Sequence, residues 1–424
     1  MTDRIKAGFY NILECKLFNY DMSKQLEISN MIYRFTISEG IFQRVMQAQL
    51  SLYDTLNIVD GFPLLGEERV LLTVEDFYGE QKTYVFHITS IGPVSTGNNG
   101  VGQDYTLFLF STEYVRSEAN EIRRSFTGAP HIIAKEIHEE FLQTSKPFDY
   151  EFTAGSGTFV IPALTPFETM DFLSRKSYSS SNQSSYFYFF ETRDNYMFTT
   201  FEKLIKDSYN REVKTYDYVD PKIIGSVPKD SMYQLIDYKN TRRFNVLNEM
   251  RSGAQVSRTL VVDLSKKTIE KKIYKHYEEL DKTTRATGNN IREYHTDKFN
   301  KEYFDEKNIL GSWIIFNDTT KPESYYSDIL PKRIAAEYFY NALEVSVTIY
   351  GSWEANVGDI IELNIPDPET GSTEQNPHRT LSGRYIVESM NHIMDEDEWK
   401  IKMNLIRDSL GETGESNYLS ASAG

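Results

Sequence analysis

LEVSVTIYG, residues 343 to 351, is the clearest strand in this chain. Leu343, Val345, Val347 and Ile349 alternate with Glu344, Ser346, Thr348 and Tyr350, and the run stops at Gly351. Successive side chains of a strand point to opposite faces, so this spacing predicts a strand with one apolar face. Three more such runs follow a turn at Gly358-Asp359: IIELNIP from Ile360, GRYIVESMNHIM from Gly383 and WKIKMNLIRDSL from Trp399, the last two joined by the acidic link Asp395 to Glu398. Short links between neighbouring runs predict an antiparallel series of four strands.

The same alternation marks the N-terminal part. Leu13, Cys15 and Leu17 oppose Glu14 and Lys16, which points Cys15 inward as a small buried apolar residue. It continues over Gln47 to Tyr53, Arg69 to Val74, Tyr84 to Ile91 and Tyr105 to Phe110, with turn-rich DGFPLLGEE (Asp60 to Glu68) and TGNNGVGQD (before Tyr105) between runs. Residues 1–115 are therefore expected to form one barrel or sandwich of about five or six strands.

The period then changes. In GAPHIIAKEIHEEFL (Gly128 to Leu142), Ile133, Ile137 and Phe141 recur at helical spacing behind Pro130, a residue suited to a first helical turn. TPFE carries a capping box, with Thr165 as cap, Pro166 at the first helical position and Glu168 three residues after the cap. After the loop Ser177 to Ser185, the run YFYFFETRDNYMFTTF reads as two aromatic strands about a turn at Arg193 to Asn195. Residues 116–227 are expected to be an inserted α+β domain.

A second β-rich unit is expected over 228–275 and 333–410, including strands at Arg258 to Leu264 and Thr268 to Tyr274 joined by Ser265 to Lys267. Residues 276–332 show no clear period and read as an insertion of uncertain fold. The Ser- and Gly-rich tail, 411–424, reads as flexible. The fold class that follows is β-rich α+β: two antiparallel β-barrels, an inserted α+β domain, and a further insertion in the second barrel.

Composition narrows the function. The 424 residues hold 62 acidic against 46 basic side chains, a formal charge of -16, which opposes a surface built to grip phosphates. The 29 Tyr and 26 Phe beside 3 Trp suit half-buried strands. A single cysteine makes no internal disulfide, and the N-terminus lacks the apolar core of a secretory signal, so a reducing compartment is expected. Apolar runs such as Tyr186 to Phe190 and Trp313 to Phe316 fall far short of the roughly 20 residues that span a bilayer, so no integral membrane association is expected.

The usual catalytic and metal-binding motifs are missing from the sequence. His87, His131, His138, His276, His295, His378 and His392 form no HExxH, HxH or Cys/His cluster, and His131 and His138 stand seven apart on one helix, too far to share an ion. No GxSxG elbow, phosphate loop or strand-linked GxGxxG is present. Glu139-Glu140 and Asp395 to Glu398 read as solvated acidic caps, and KKTIEKK (Lys266 to Lys272) reads as a solvated strand face. No catalytic, cofactor-binding or metal-binding residue is assigned, and no enzymatic activity is expected.

Two passages carry a resemblance. QAQLSLYDTLNIVDGFPLLGEERVLLTV (Gln47 to Val74), with its "LYD" exit and "P-x-x-G-E-E" turn, and Val357 to Leu410, with "LSGRYIV" and the terminal "RDSL", are similar to the two barrels of the central baseplate hub family of T-even-type contractile phage tails. IPALTPFETMDFLSRKS (Ile161 to Ser177) resembles the helix-opening element of that family's inserted domain. The resemblance implies a structural subunit of the virion tail baseplate, assembled in the host cytoplasm as a homotrimer. Its partners would be a trimeric spike below, hexameric tail tube or tube-initiator proteins above and baseplate proteins around, with DNA passing through the lumen without specific binding. Two barrels per subunit would give three copies a pseudo-sixfold ring. A lumen that must not hold DNA predicts that Lys266, Lys267, Lys271 and Lys272 face outward or toward a neighbouring subunit's carboxylates. A tail-tip carbohydrate or receptor binder, with tyrosines as stacking platforms, and a cell-wall hydrolase with paired carboxylates are the alternative readings.

Overall fold

The computed structural model describes residues 7–62, 64–96, 102–181, 184–208, 211–218, 232–242, 245–279, 309, 311–317, 326–340, 343–367, 377–378, 381–395 and 398–408. The 411–424 tail, His295, Glu396 and Asp397, and most of 276–332 lie outside the described residues.

The first unit holds β1 (Asn11–Phe18), β2 (Gln25–Glu27), β3 (Ile32–Gly40), β4 (Gln47–Asp54), β5 (Arg69–Glu75), β6 (Gln81–Ile91), β7 (Ser95–Thr96) and β8 (Gln103–Ser111). Alternation works as the sequence predicts. Cys15, Leu17, Phe35, Leu50, Leu72, Phe86 and Leu107 all turn inward and are at most 1 % exposed. The motif residues hold turns by hydrogen bonding. Asp54 accepts from the backbone N–H of Leu56 and Ile58 and from the Tyr105 hydroxyl, while Glu68 accepts from the N–H groups of Leu65, Gly66 and Glu67.

The inserted domain follows: β9 (Ser125–Gly128), β10 (Phe148–Tyr150), β11 (Gly157–Val160), β12 (Phe187–Glu191) and β13 (Tyr196–Thr200), with helices at Pro130–Ile137, Pro166–Lys176 and Phe201–Ser208. Both halves of the Thr165/Glu168 capping box form. Ile133, Ile137, Phe167, Met170, Phe189 and Phe198 make a separate core.

The second unit is a closed barrel of β14 (Lys214–Tyr218), β15 (Gln234–Arg242), and, after β16 (Val256–Asp263), β17 (Thr268–Lys275) and β18 (Ser312–Asn317), of β19 (Leu343–Tyr350), β20 (Ile360–Asn364), β21 (Gly383–Asp395) and β22 (Trp399–Arg407). The predicted antiparallel series of β19, β22, β21 and β20 forms. Two assignments change. The strands expected at 258–264 and 268–274 lie outside the barrel, because β16 spends one edge on β17 and the other, in parallel, on β18, giving a separate three-stranded sheet. The insertion in the second barrel therefore begins at β16. Conversely β14, expected within the inserted domain, joins the barrel in parallel with both β15 and β20. Alternation shows which residues face inward but not which strand is the neighbour.

The two units repeat one plan. If the six long strands of each are numbered in chain order (β1, β3, β4, β5, β6, β8; β14, β15, β19, β20, β21, β22), both sheets run 2-3-6-5-4-1. Their irregularities coincide as well. Strands 2 and 3 slip at Ile32/Arg34 in the first unit and at Leu235/Asp237 in the second, and strands 5 and 6 slip at Ile88/Ser90 and at Val387/Ser389. Glu68 and Asp359 occupy matching places, since their carbonyls accept from Ile88 N–H and Val387 N–H. The difference is strand 1. In the second unit it is reversed and closes the barrel onto strand 2. In the first, β1 pairs with β5 and β2, and among the described residues no ladder joins β1 to β3.

Candidate functional site

The site that gives this molecule its architecture is the joint where all three units meet. Its backbone element is β21. One edge of this strand pairs with β20 over Gly383 to Ile386, then passes to β3, with Ser389 to Asp395 opposite Gly40 to Arg34. The other edge pairs with β22 from Ile386 to Met394. A single strand thus belongs to both barrels, and their cores merge into one cluster.

Glu39 on β3 and His392 on β21 meet across this seam, Nε2 to Oε1 at 3.3 Å, and both are 98 % or more buried. Arg193, from the turn between β12 and β13, enters from the inserted domain. Its backbone N–H donates to Glu39 Oε2, and its Nη2 donates to the Trp353 carbonyl at 2.7 Å and to Asn356 Oδ1. The guanidinium also lies over the Trp353 ring, which packs on Trp399 and His392. Asp76 completes the seam by accepting from Trp353 N–H.

Burial opposes the charge on Glu39, but the His392 hydrogen bond and the Arg193 and Lys146 charges outweigh it and hold the carboxyl below its usual range. Burial holds His392 below its usual range, and Glu39 offsets only part of that. Both directions favour Glu39 as the acceptor and a neutral His392 as the donor through Nε2.

A second carboxylate fastens the inserted domain to the first barrel. Glu191, fully enclosed, accepts from Met46 N–H, Ser111 Oγ and Lys146 Nζ at 2.8, 2.6 and 2.6 Å. Burial nevertheless raises its pKa, against the pull of Lys146. Arg333, on the helix Tyr326–Tyr340, donates to the carbonyls of Ser174, Ser185 and Phe187 at 3.2 Å each, tying the second barrel's insertion to the same domain. Beside the joint lies a polar cleft of about 330 Å³, lined among others by Asp149, Asn195, Thr199, Asp207 and Asp359.

The residues singled out in the sequence lie elsewhere. Cys15 is buried, and burial drives its thiol far above its usual range, which keeps it unreactive. His131 sits against Thr153, and His138 stacks on Phe148, so both pack rather than ligate. Among the described residues no group of three His, Cys, Asp or Glu is placed to hold a metal, and no helix is long and apolar enough to cross a membrane. Lys266 and Lys267 belong to the turn before β17; Lys266 stands 3.8 Å from Asp263, and Lys272 reaches Asp328 at 3.0 Å. The sequence marks Arg193 only as a turn residue. Its one signal was an arginine between two aromatic strands.

No family model matches the chain, and no curated protein matches it in sequence. Solved structures do. A tail protein from Neisseria meningitidis MC58 superposes with a TM-score of 0.54 at 10% identity, covering 95% of this chain and 98% of that one. The 43 kDa tail protein of prophage MuSo2 from Shewanella oneidensis gives 0.50 at 11% identity, covering 94% and 99%. What this chain shares with these tail proteins, over nearly its whole length, is the β-rich barrel fold.

Proposed function

We propose that the chain is a structural hub subunit of a phage-type tail baseplate, a homotrimer that joins the tail tube to the central spike and forms part of the DNA conduit. The carrying observation is the duplication: two units of one strand order, with slips at matching places, fused edge to edge through β3 and β21. Three such chains supply six similar units, which suits a sixfold tube on one side and a threefold spike on the other. The fold likeness to two tail proteins supports the same reading.

The side chains favour assembly over catalysis. Glu39 and Glu191 are used to fasten units, and Glu151 accepts from Thr200 N–H, Thr200 Oγ1 and Ser179 Oγ. Tyr105, Tyr186, Tyr196, Tyr216 and Tyr385 are buried and offer sugars no stacking platform, while Tyr20, Tyr53 and Tyr78 are exposed. A charge of -16 per chain suits a conduit that repels DNA. Light scattering of the purified chain, with particle images, tests the proposal. A three-chain mass and ring-shaped particles are expected, and a chain that stays monomeric at high concentration overturns it. Filter binding at physiological salt should detect no tight DNA complex.

A further inference from the structure

The seam inside the chain predicts the seam between chains. In the first unit, strand 2 (β3) pairs with strand 5 of the second (β21). The reciprocal edges are strand 2 of the second unit, β15, and strand 5 of the first, β6 with its continuation β7. Among the described residues neither makes a ladder on the corresponding side: β15 meets β14 only at Gln234 and Leu235, and β6 meets β5 only as far as His87. Asp237, Lys239 and Asn240 on one edge, and Thr89, Ser90, Ser95 and Thr96 on the other, are exposed.

We infer that β15 of one copy pairs antiparallel with the β6–β7 edge of a second copy of this chain, closing a ring of three. The inference rests on the trimeric reading above and adds the surface and its register. The matching slips place Asp237 on Arg34 and Ser90 on Ser389. Carrying the internal ladder across puts Ile91 opposite Arg242 and Gly92 opposite Thr241. Gly92 and Pro93 then add one residue before β7 resumes on β8, because Ile91 faces Leu107 whereas Ser95 faces Asp104. Ser95 therefore falls opposite Lys239, the counterpart of the internal pair Ile393 and Thr36. Pro93 has no N–H to give, so this ladder is broken where the internal one is continuous, and it also blunts the edge in a free subunit. A head-to-tail contact of this kind closes into a ring or runs on as a filament according to its rotation.

Disulfide trapping tests the register, since opposed strand residues lie at Cα distances a disulfide accepts. The double variant Ser95→Cys with Lys239→Cys, oxidised in the intact assembly, should give a non-reducing ladder that stops at three chains, and each single variant should stay at one. Thr36→Cys with Ile393→Cys should link within the chain without a change of mass. If that control links and the protein is trimeric by light scattering, but the Ser95/Lys239 pair does not link, the edge pairing is wrong and the trimer stands. A monomer overturns both, and a ladder running past three overturns ring closure.

Discussion

The two barrels follow one strand order and differ in how they end. The second closes on itself because its strand 1, β14, is reversed and bridges β15 and β20. The first, among the described residues, leaves strands 1 and 2 unpaired with each other, and the edge of β3 takes β21 instead. Closure in one unit and openness in the other are complementary. If both barrels closed fully, no edge would be left to join them, and if both stayed open each chain would expose more unpaired edge than β15 and β6 already present. Reversing a single five-residue strand separates the two outcomes.

This contrast predicts where the molecule is vulnerable. The largest effect belongs to the joint, which only the open barrel makes possible. Arg193→Ala keeps the backbone N–H bond to Glu39 but removes the guanidinium that donates to the Trp353 carbonyl and Asn356 Oδ1, and each acceptor left unpaired at this joint costs about 1 to 3 kcal/mol. Denaturant unfolding should show that loss, and the single transition should split as the inserted domain loosens from both barrels. A loss near zero would mean that the backbone ladder alone holds the units.

Next comes the closed barrel. A Cβ at Gly351 would fall 2.1 Å from the Trp399 ring, so Gly351→Ala forces the indole or the strand to move. Overpacking of this kind costs about 1 to 3 kcal/mol, and occasionally more. The corresponding strand exit in the first unit is Asp54, a hydrogen-bonding cap rather than a packing contact. Thermal melts should therefore show Gly351→Ala lowering stability independently of salt. A neutral result would show that Trp399 has room to turn.

The third effect is a slope in pH. His392 is held neutral by burial, so its folded pKa lies below its unfolded one. Its contribution is fully present above about pH 6.5 and is lost as pH falls through the folded value. Between those limits stability should fall by up to about 1.4 kcal/mol per pH unit on this account. His392→Gln should remove that part of the slope, and equal slopes in wild type and variant would show that the imidazole takes up no proton on unfolding. The smallest effect lies away from the seam. Thr165→Ala removes one half of the capping box and should cost about 1 kcal/mol without changing how the barrels meet.

Much of this was legible because it is local. The alternation of Leu343 to Ile349, the inward face of Cys15, the cap at Thr165 and the turn at Arg193 to Asn195 follow from spacings of two to four residues. What escaped depends on partners far away in sequence. β16 and β17 carry a correct hairpin signal, yet it is the parallel neighbour β18 that removes them from the barrel. β14 is KTYDY, too short and polar to betray that it closes anything. Arg193 reads as a solvated turn residue because its acceptors are the carbonyl of Trp353 and the side chain of Asn356, some 160 residues on. The duplication left a trace in the sequence: GEERVLL at Gly66 to Leu72 and GDIIEL at Gly358 to Leu363 each run from a glycine and an acidic turn into strand 4.

The shared strand also sets an order of events during synthesis. Ser38 meets Asn391 across the seam, 353 positions later in the chain. At about 5 to 20 residues per second, the ribosome needs roughly 20 to 70 s to deliver β21 after β3 has emerged. For that interval the first unit stands folded or nearly so with an open edge, and nascent chains on one messenger carry the same edge side by side. Translation speed between β3 and β21, or a holdase that covers β3 until β21 arrives, should therefore affect yield.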